Sequence, residues 1–394
     1  MEPKILILDG NQRAALAATR SLGMRKIWVS VGESTGSSLA GSSKHCVAQL
    51  TYSDPFKSPS LFFKDILKLI EDYDINFLLP ITEATTYAIL AFREQLPPHV
   101  SFPFPDVTNV ESLANKNSLF RLAKNLNIPI PYTVFCENGT EGQEVLVNHD
   151  WQFPIVIKPF KSKILLSDRI ISTSVVVAKS HEEAMDVVQA GCFRDYAFTI
   201  QAFVEGEGQG VFALYNHGQP VCFFAHRRLR EKPPEGGVSV LSESIPVDKH
   251  LKSLSEQLLT HANWHGVAMV EFRVEPNGTA YLMEVNPRFW GSLQLAIDSG
   301  VDFPYWLYLA QTGFALPDNR SITRRKVRWL LGDLDRLYLV LKAPLSRYSV
   351  LRKTKEFLLF FMPRPGTRHE INRVNDFRPF LFELRNYLHS IFKG

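Results

Sequence analysis

The chain opens on an apolar run, KILILDG at 4–10, that ends in Asp9 and Gly10. Ala14, Ala15, Leu16, Ala18 and Leu22 then recur at helical spacing, and the apolar IWVSV follows. A short continuous apolar run, an amphipathic helix and a second run predict the start of a parallel α/β sheet. A helix over 60–73 leads into INFLLPIT at 75–82, and another covers 84–95, so the first hundred residues form a small open α/β unit. The three-glycine spacing of a dinucleotide fingerprint is absent after the first strand, which argues against a nicotinamide-dependent oxidoreductase.

Residues 106–109 carry turn and cap chemistry, and the periodicity predicts one amphipathic helix over 110–126, ended by Ile-Pro-Ile-Pro at 128–131. The β-rich FPIVIKPF at 153–160 closes on Lys158 and Pro159. Strand pieces near 164–166 and 173–177 and a helix over 181–190 complete a small unit. TIQAFVEG at 199–206 begins an antiparallel unit, in which FALYNHGQPVCFFAHRRL reads as strand, Asn-His-Gly turn, strand. A helix over 251–263 precedes the last hairpin. From about Asn319 the sequence turns helical, basic and aromatic, with FLLFFM at 357–362 as its most apolar patch.

At 394 residues, 45% hydrophobic and 21% charged, the chain suits two or three globular subdomains around a shared cleft and not a disordered or collagen-like class. Cys46, Cys136, Cys192 and Cys222 lack zinc or dithiol spacing and are expected to be reduced core thiols of a cytoplasmic protein. The first strand begins too early for a secretory leader, and no apolar run approaches a membrane span. The net charge of +4 is uneven: from Ala315 onward 17 Lys or Arg face 7 Asp or Glu. Such a tail reads either as a solvated helical appendage or as a surface for peripheral contact with the inner face of a membrane. No nucleic-acid partner is expected.

The densest chemistry lies in GVAMVEFRVEPNGTAYLMEVNPRFWGS at 266–292. Asn277-Gly278 between two β-rich runs predicts a hairpin, and a two-residue loop there sets Glu271 directly opposite Glu284. Alternation puts Val270, Phe272, Val274, Tyr281, Met283 and Val285 on one face. Glu271, Arg273, Glu275, Glu284 and Asn286 share the other with Met269 and Leu282. Two carboxylates side by side repel unless a cation sits between them. With the Asn286 amide they suit a hard divalent ion that also takes phosphate oxygens, Mg²⁺ or Mn²⁺ with ATP. Arg288 points the same way. The alternation equally suits the solvated face of a hairpin. Lys158 at its strand end, and Lys116, are each either surface cations or ligands for phosphate oxygens.

In this order the elements resemble the ATP-grasp superfamily, in the branch of carbamoyl-phosphate synthase and the carboxylate-amine ligases. The resemblance implies an α/β and α+β fold: a Rossmann-like pre-ATP-grasp domain over 1–105, a small lid subdomain over 106–195, a large subdomain over 196–316 and a basic helical extension over 317–394. It implies Lys116 and Lys158 on ATP phosphates, Gln201, Ala202, Phe203 and Val204 at adenine, Glu205 at ribose, and Glu271, Glu284 and Asn286 as metal ligands. Arg288 follows as a catalytic residue. The usual glycine-rich phosphate loop is missing, and KSKILLSDRIIST stands in its place, with Lys161, Lys163 or Arg169 as substitute cations. HRRLREKPPEGGVSV at 226–240 resembles a substrate-side loop, with Arg228 and Gly236-Gly237 on the carboxylate or acyl phosphate.

The activity so implied is ligation of a carboxylate, from a small molecule or a glycoconjugate, to an amine through an acyl phosphate. Asn11, Arg13, Thr82 and Glu83 at strand ends are candidates for the acceptor cleft. Two alternatives stay open: a kinase that stops at phosphorylation, and a non-catalytic ATP-binding regulatory or scaffold protein.

Overall fold

The computed structural model describes residues 3–317, 322–362 and 364–393; Asn319, where the tail is expected to begin, lies outside them. Strands Lys4–Ile7, Trp28–Glu33, Ala48–Thr51 and Phe77–Leu79 form a parallel sheet, with Lys4–Ile7 between Trp28–Glu33 and Phe77–Leu79. Ile5, Leu6, Ile7 and Leu8 are fully buried. A central parallel strand is covered on both faces and needs no polar alternation. The alanine-rich helix Arg13–Gly23 fits between this sheet and helices Leu293–Asp298 and Phe303–Thr312 because its side chains are small. At the first strand's end Asp9 adopts a left-handed backbone (φ 60°). Its carboxylate accepts from Ile81 N (3.0 Å), Thr82 N (2.8 Å) and Thr85 Oγ1 (2.6 Å). Asp9 therefore anchors the start of helix Glu83–Leu90, whose first residue reaches the cleft.

The single helix predicted over 110–126 is two helices, Val107–Ala114 and Lys116–Asn125. Asn115 divides them: its side chain accepts from Asn117 N (3.0 Å) and Ser118 N (3.5 Å), capping the second helix. Both helices bury an apolar stripe, so periodicity alone joins them. The break puts Lys116 in a first helical turn, with its backbone N–H donated to Phe160 O (2.8 Å).

Strands Thr133–Cys136, Phe198–Ala202, Ile155–Pro159 and Val176–Ala178 form, in that spatial order, an antiparallel sheet. Helices Gly139–Asn148 and His181–Val188 pack on it, opened by Asn138 and Ser180, each with a glutamate three residues on. KSKILLSDRIIST folds as a hairpin, Lys163–Leu165 with Ile170–Ser172, and docks on the first domain through Ile170 N to Phe56 O (3.1 Å).

The third sheet has seven strands, in the order Ala280–Asn286, Gly266–Val274, Glu207–Asn216, Gln219–Lys232, Val238–Ile245, Lys326–Arg328, Thr367–His369. His217 and Gly218, at φ 46° and 77°, make the two-residue turn between Glu207–Asn216 and Gln219–Lys232.

The tail carries the expected helices and also supplies the last two strands. Beyond helices Leu330–Lys342, Val350–Phe361 and Arg378–Lys393, the tail completes the large sheet. Buried charge fixes it in place. Arg20 donates to Asp376 Oδ2 (2.8 Å), Glu370 O (2.9 Å) and Ile371 O (2.8 Å). Asp333, fully buried, receives Arg230 and Arg328, both at 2.7 Å. Three-residue strands and ion pairs such as Arg20–Asp376 and Arg230–Asp333, distant in the chain, leave no periodic trace.

Candidate active site

Glu271 and Glu284 are direct cross-strand partners, as are Val270 with Val285 and Met269 with Asn286. The route to this register differs from the predicted one. The turn is longer than two residues, with Glu275 N donating to Thr279 O (3.0 Å), so Val274, Arg273 and Phe272 pair with Ala280, Tyr281 and Leu282. An extra residue, Met283, then forms a β-bulge that restores the Glu271–Glu284 pairing. The bulge also corrects the faces: Leu282 lies in the core with Phe272 and Val285. Tyr281 pairs with Arg273, and Met283 reaches the ammonium of Lys158 (Nζ to Sδ 3.7 Å).

The two carboxylates sit at the floor of a cleft, their side chains 28% and 32% exposed. The Asn286 Nδ2 donates to Glu271 Oε1 (3.1 Å) and Glu284 Oε1 (3.0 Å), so one polar atom lies between both. Lys116 Nζ is 3.3 Å from Glu284 Oε2, and Arg228 Nη2 is 3.6 Å from Glu271 Oε2. Arg288 donates to Asn286 Oδ1 (3.1 Å) and to Glu83 Oε1 (3.2 Å), and Ser162 Oγ also donates to Glu83. Seven residues expected together from the sequence thus converge: Lys116, Lys158, Arg228, Glu271, Glu284, Asn286 and Arg288.

Their protonation is mutually set. Burial, then the neighbouring Glu284 charge, pushes the Glu271 carboxyl well above its usual range. Burial acts the same way on Glu284, but Lys116, the Asn286 hydrogen bond and Lys158 outweigh it and hold that carboxyl low. Burial lowers the Lys158 ammonium to about 8. Among the described residues no group of three or more His, Cys, Asp or Glu is placed to hold a metal ion. The protein alone therefore offers two carboxylates and an amide around one point, and turning the amide over presents its oxygen there. That set fits a hard cation whose remaining ligands are phosphate oxygens and water.

The expected hinge divides. Gln201 and Ala202 belong to the strand ladder: Gln201 Nε2 donates to Thr133 Oγ1 (2.8 Å), and Ala202 N to Tyr132 O (2.9 Å). Phe203, Val204 and Glu205 lie beyond the strand, in the connection between the two sheets. Of the substitute cations, Lys161 pairs with Glu111 and Arg169 with Asp168, whereas Lys163 lines the cleft.

The cleft opens into a cavity of about 850 Å³ that reaches the first domain at Asn11, Arg13, Thr82 and Glu83. Its remaining wall was not legible in the sequence. Trp329, Phe382, Glu383 and Tyr387 come from the tail. A smaller cavity of about 170 Å³ adjoins it along Arg13, Arg288, Trp290 and Gly291, and is lined by His226, Arg228 and Gly237. His226 is buried against Phe212, hydrogen-bonded to Ser292 Oγ (3.0 Å), and burial lowers it to about 3.

Comparison with known proteins agrees with this architecture. A family model described as "ATP-grasp in the biosynthetic pathway with Ter operon" matches residues 197–330. N5-carboxyaminoimidazole ribonucleotide synthetase from Thermus thermophilus superposes with a TM-score of 0.61 at 15% identity, covering 82% of each chain. L-amino acid ligase from Bacillus licheniformis gives 0.58 at 14%, covering 79% of this chain and 74% of the other. The biotin carboxylase domain of Hydrogenobacter thermophilus 2-oxoglutarate carboxylase, solved with MgADP, ADP and bicarbonate, gives 0.62 at 12%, covering 82% and 73%. Pyruvate carboxylase from Aspergillus terreus is 26% identical over 197 residues, 47% of this chain; the match spans only 16% of that relative's length. The chain has the ATP-grasp fold.

Proposed function

We propose that the chain is an ATP- and Mg²⁺-dependent ligase that joins a carboxylate to an amine. The observation that carries this reading is the convergence of the Glu271–Glu284 pair, Asn286 and four cations, with Glu284, Asn286 and Arg288 on the wall of the large cavity and Glu271 and Arg228 on that of the smaller one. The nucleotide and ion named for the biotin carboxylase neighbour support the choice of cosubstrate.

Glu271, Glu284 and Asn286 would hold the divalent ion, which when bound supplies charge neutralisation to the phosphate chain. Lys116 and Lys158 take phosphate oxygens from two different elements. Both are largely buried, so their charges act in a medium that screens them poorly. The substrate carboxylate attacks the γ-phosphorus, forming an acyl phosphate and releasing ADP. Arg288, held by Glu83, is oriented for the transferring phosphoryl group. Arg228, beside Glu271 and the smaller cavity, suits the carboxylate or acyl phosphate. The amine then attacks the acyl carbon, phosphate leaves with the bonding pair, and the nitrogen loses a proton to give the amide. Phe203, Val204 and Glu205 are the hinge segment available to the nucleoside. The carboxylate belongs to a small molecule or a glycoconjugate.

The test is ADP and phosphate release with carboxylates in the presence of hydroxylamine, which traps an acyl phosphate as a hydroxamate. Hydroxamate formation supports ligation; a stable phosphorylated product identifies a kinase, and nucleotide binding without turnover a regulatory protein.

A separate observation favours a membrane contact for the tail. Val350, Leu351, Leu358 and Phe361 are 64%, 81%, 60% and 65% exposed at helical spacing on Val350–Phe361. Arg347, Arg352, Lys353 and Lys355 neighbour them in sequence, with Arg347 paired to Glu235 and Lys353 donating to Leu341 O (2.8 Å). An apolar stripe bordered by cations suits the surface of an anionic bilayer. Among the described residues no helix is long and apolar enough to cross one.

A further inference from the structure

The charged groups that line the large cavity are nearly all matched. Arg288 pairs with Glu83, Glu284 with Lys116, Arg13 with Glu370, and Asp335 with Lys232. Lys163 has no ion pair, its Nζ donating to Ser172 Oγ (2.8 Å), and Glu383, on helix Arg378–Lys393, is the one lining carboxylate without a cation among the described residues. Its Oε1 accepts from Trp329 Nε1 (2.6 Å), and no Lys, Arg or His lies within ion-pair distance. The same wall is aromatic, built from Trp329, Phe382 and Tyr387. Tyr387 is fixed by its hydroxyl donating to Asp335 Oδ1 (2.6 Å), and Trp329 by the Arg13 guanidinium stacked 4.1 Å from its ring centre.

A half-buried carboxylate with a spare oxygen, facing a cavity and lacking a cation, is matched by a ligand that brings one. We propose that this wall is the acceptor subsite, in which Glu383 holds the ammonium of an amine whose apolar or aromatic body lies against Trp329, Phe382 and Tyr387. The assignment of the amine as acceptor rests on the ligase reading; the ammonium site itself stands on the cavity. Burial also pushes the Glu383 carboxyl up to about 7, a penalty that an adjacent ammonium reverses. Lys116, Lys158, Arg228 and Arg288 gather near Glu271 and Glu284, whereas the cations at this wall, Arg13 and Lys232, are already paired with Glu370 and Asp335. Before attack the ammonium must give up one proton, for which the free Glu383 oxygen is the adjacent acceptor, and the neutral nitrogen then has the lone pair that adds to the acyl carbon.

The test uses 2-phenylethylamine as the ammonium probe and 2-phenylethanol as its neutral counterpart, titrated into the full chain by calorimetry at pH 7. The native protein is expected to bind the amine at least about tenfold more tightly than the alcohol, and Glu383→Gln, which still accepts from Trp329, to lose that preference. Equal binding of the two probes to the native chain overturns the proposal without any variant, as does an unchanged amine affinity in Glu383→Gln. In turnover, Glu383→Gln should raise the KM for a reacting amine by at least about tenfold and lower the ratio of amide to hydroxamate. Absence of hydroxamate with the native protein removes the ligase reading and leaves the binding result to decide the ammonium site.

Discussion

Glu284 stands opposite Glu271 because its strand carries one residue more than its partner. A regular ladder running on from the turn would set Met283 against Glu271 and turn Glu284 onto the core face with Val270. The bulge at Met283 cancels the longer turn, brings both carboxylates to one point, and aims the thioether at Lys158.

That juxtaposition carries a cost which the ligand relieves, and the two effects separate in a variant. Glu284→Gln and Glu271→Gln are each expected to lower ATP-dependent phosphate release by at least about 100-fold, since each removes an anionic ligand from a site built for a cation. Like charges directly opposite on a sheet destabilise it, so the Tm of Glu271→Gln without metal should not fall. Thermal scans with and without Mg²⁺-ATP check both halves. A variant that turns over normally removes the site assignment.

Lys116 and Lys158 approach from different elements and should fail differently. Lys158→Gln is expected to raise the KM for ATP by about tenfold or more while leaving the Lys116–Glu284 pair intact. Lys116→Ala should do the same and also strip Glu284 of its closest cation, so its loss of kcat should be the larger. Steady-state kinetics at varied ATP distinguishes the two patterns.

The Arg20–Asp376 lock gives a pH signature. Burial acts to raise the Asp376 carboxyl, but the hydrogen bonds from Arg20, Lys44 N and Ser43 outweigh it and hold it below its ordinary 3.8. A carboxyl lowered on folding contributes stability that is present above the unfolded value and lost as pH falls through the folded one. Asp376→Asn should therefore cost about 3–5 kcal/mol at pH 7, as expected for breaking a buried pair. The difference from the native chain should narrow below about pH 4. Denaturant melts across this range measure it; a gap independent of pH rejects the account.

The exposed stripe on Val350–Phe361 predicts sedimentation with vesicles of phosphatidylglycerol and none with phosphatidylcholine alone. Raising salt should release the protein, and Leu351→Ser with Phe361→Ser should weaken binding by at least about tenfold. Concentration-dependent self-association without vesicle binding would instead assign the stripe to a second copy of the chain.

What the amino-acid order decides by itself is local. The parallel sheet's apolar runs, the His217-Gly218 turn and the pairing of Glu271 with Glu284 were legible because strand and turn chemistry act over a few residues. Lys116 and Lys158 were legible as candidates through their setting in a recognisable order of elements. The helix break at Asn115 was hidden, since a cap and an interior asparagine look alike in a periodic pattern. The bulge was hidden too, because one residue too many in the turn and one in the strand leave the same pair in register. Only the tertiary structure decided the role of the tail. Its short strands, its arginine-bound Asp333 and Asp376, and the wall formed by Trp329 and Glu383 draw their stability from partners far away in the chain. Such contacts exist only once the first domain and the large sheet have been brought together.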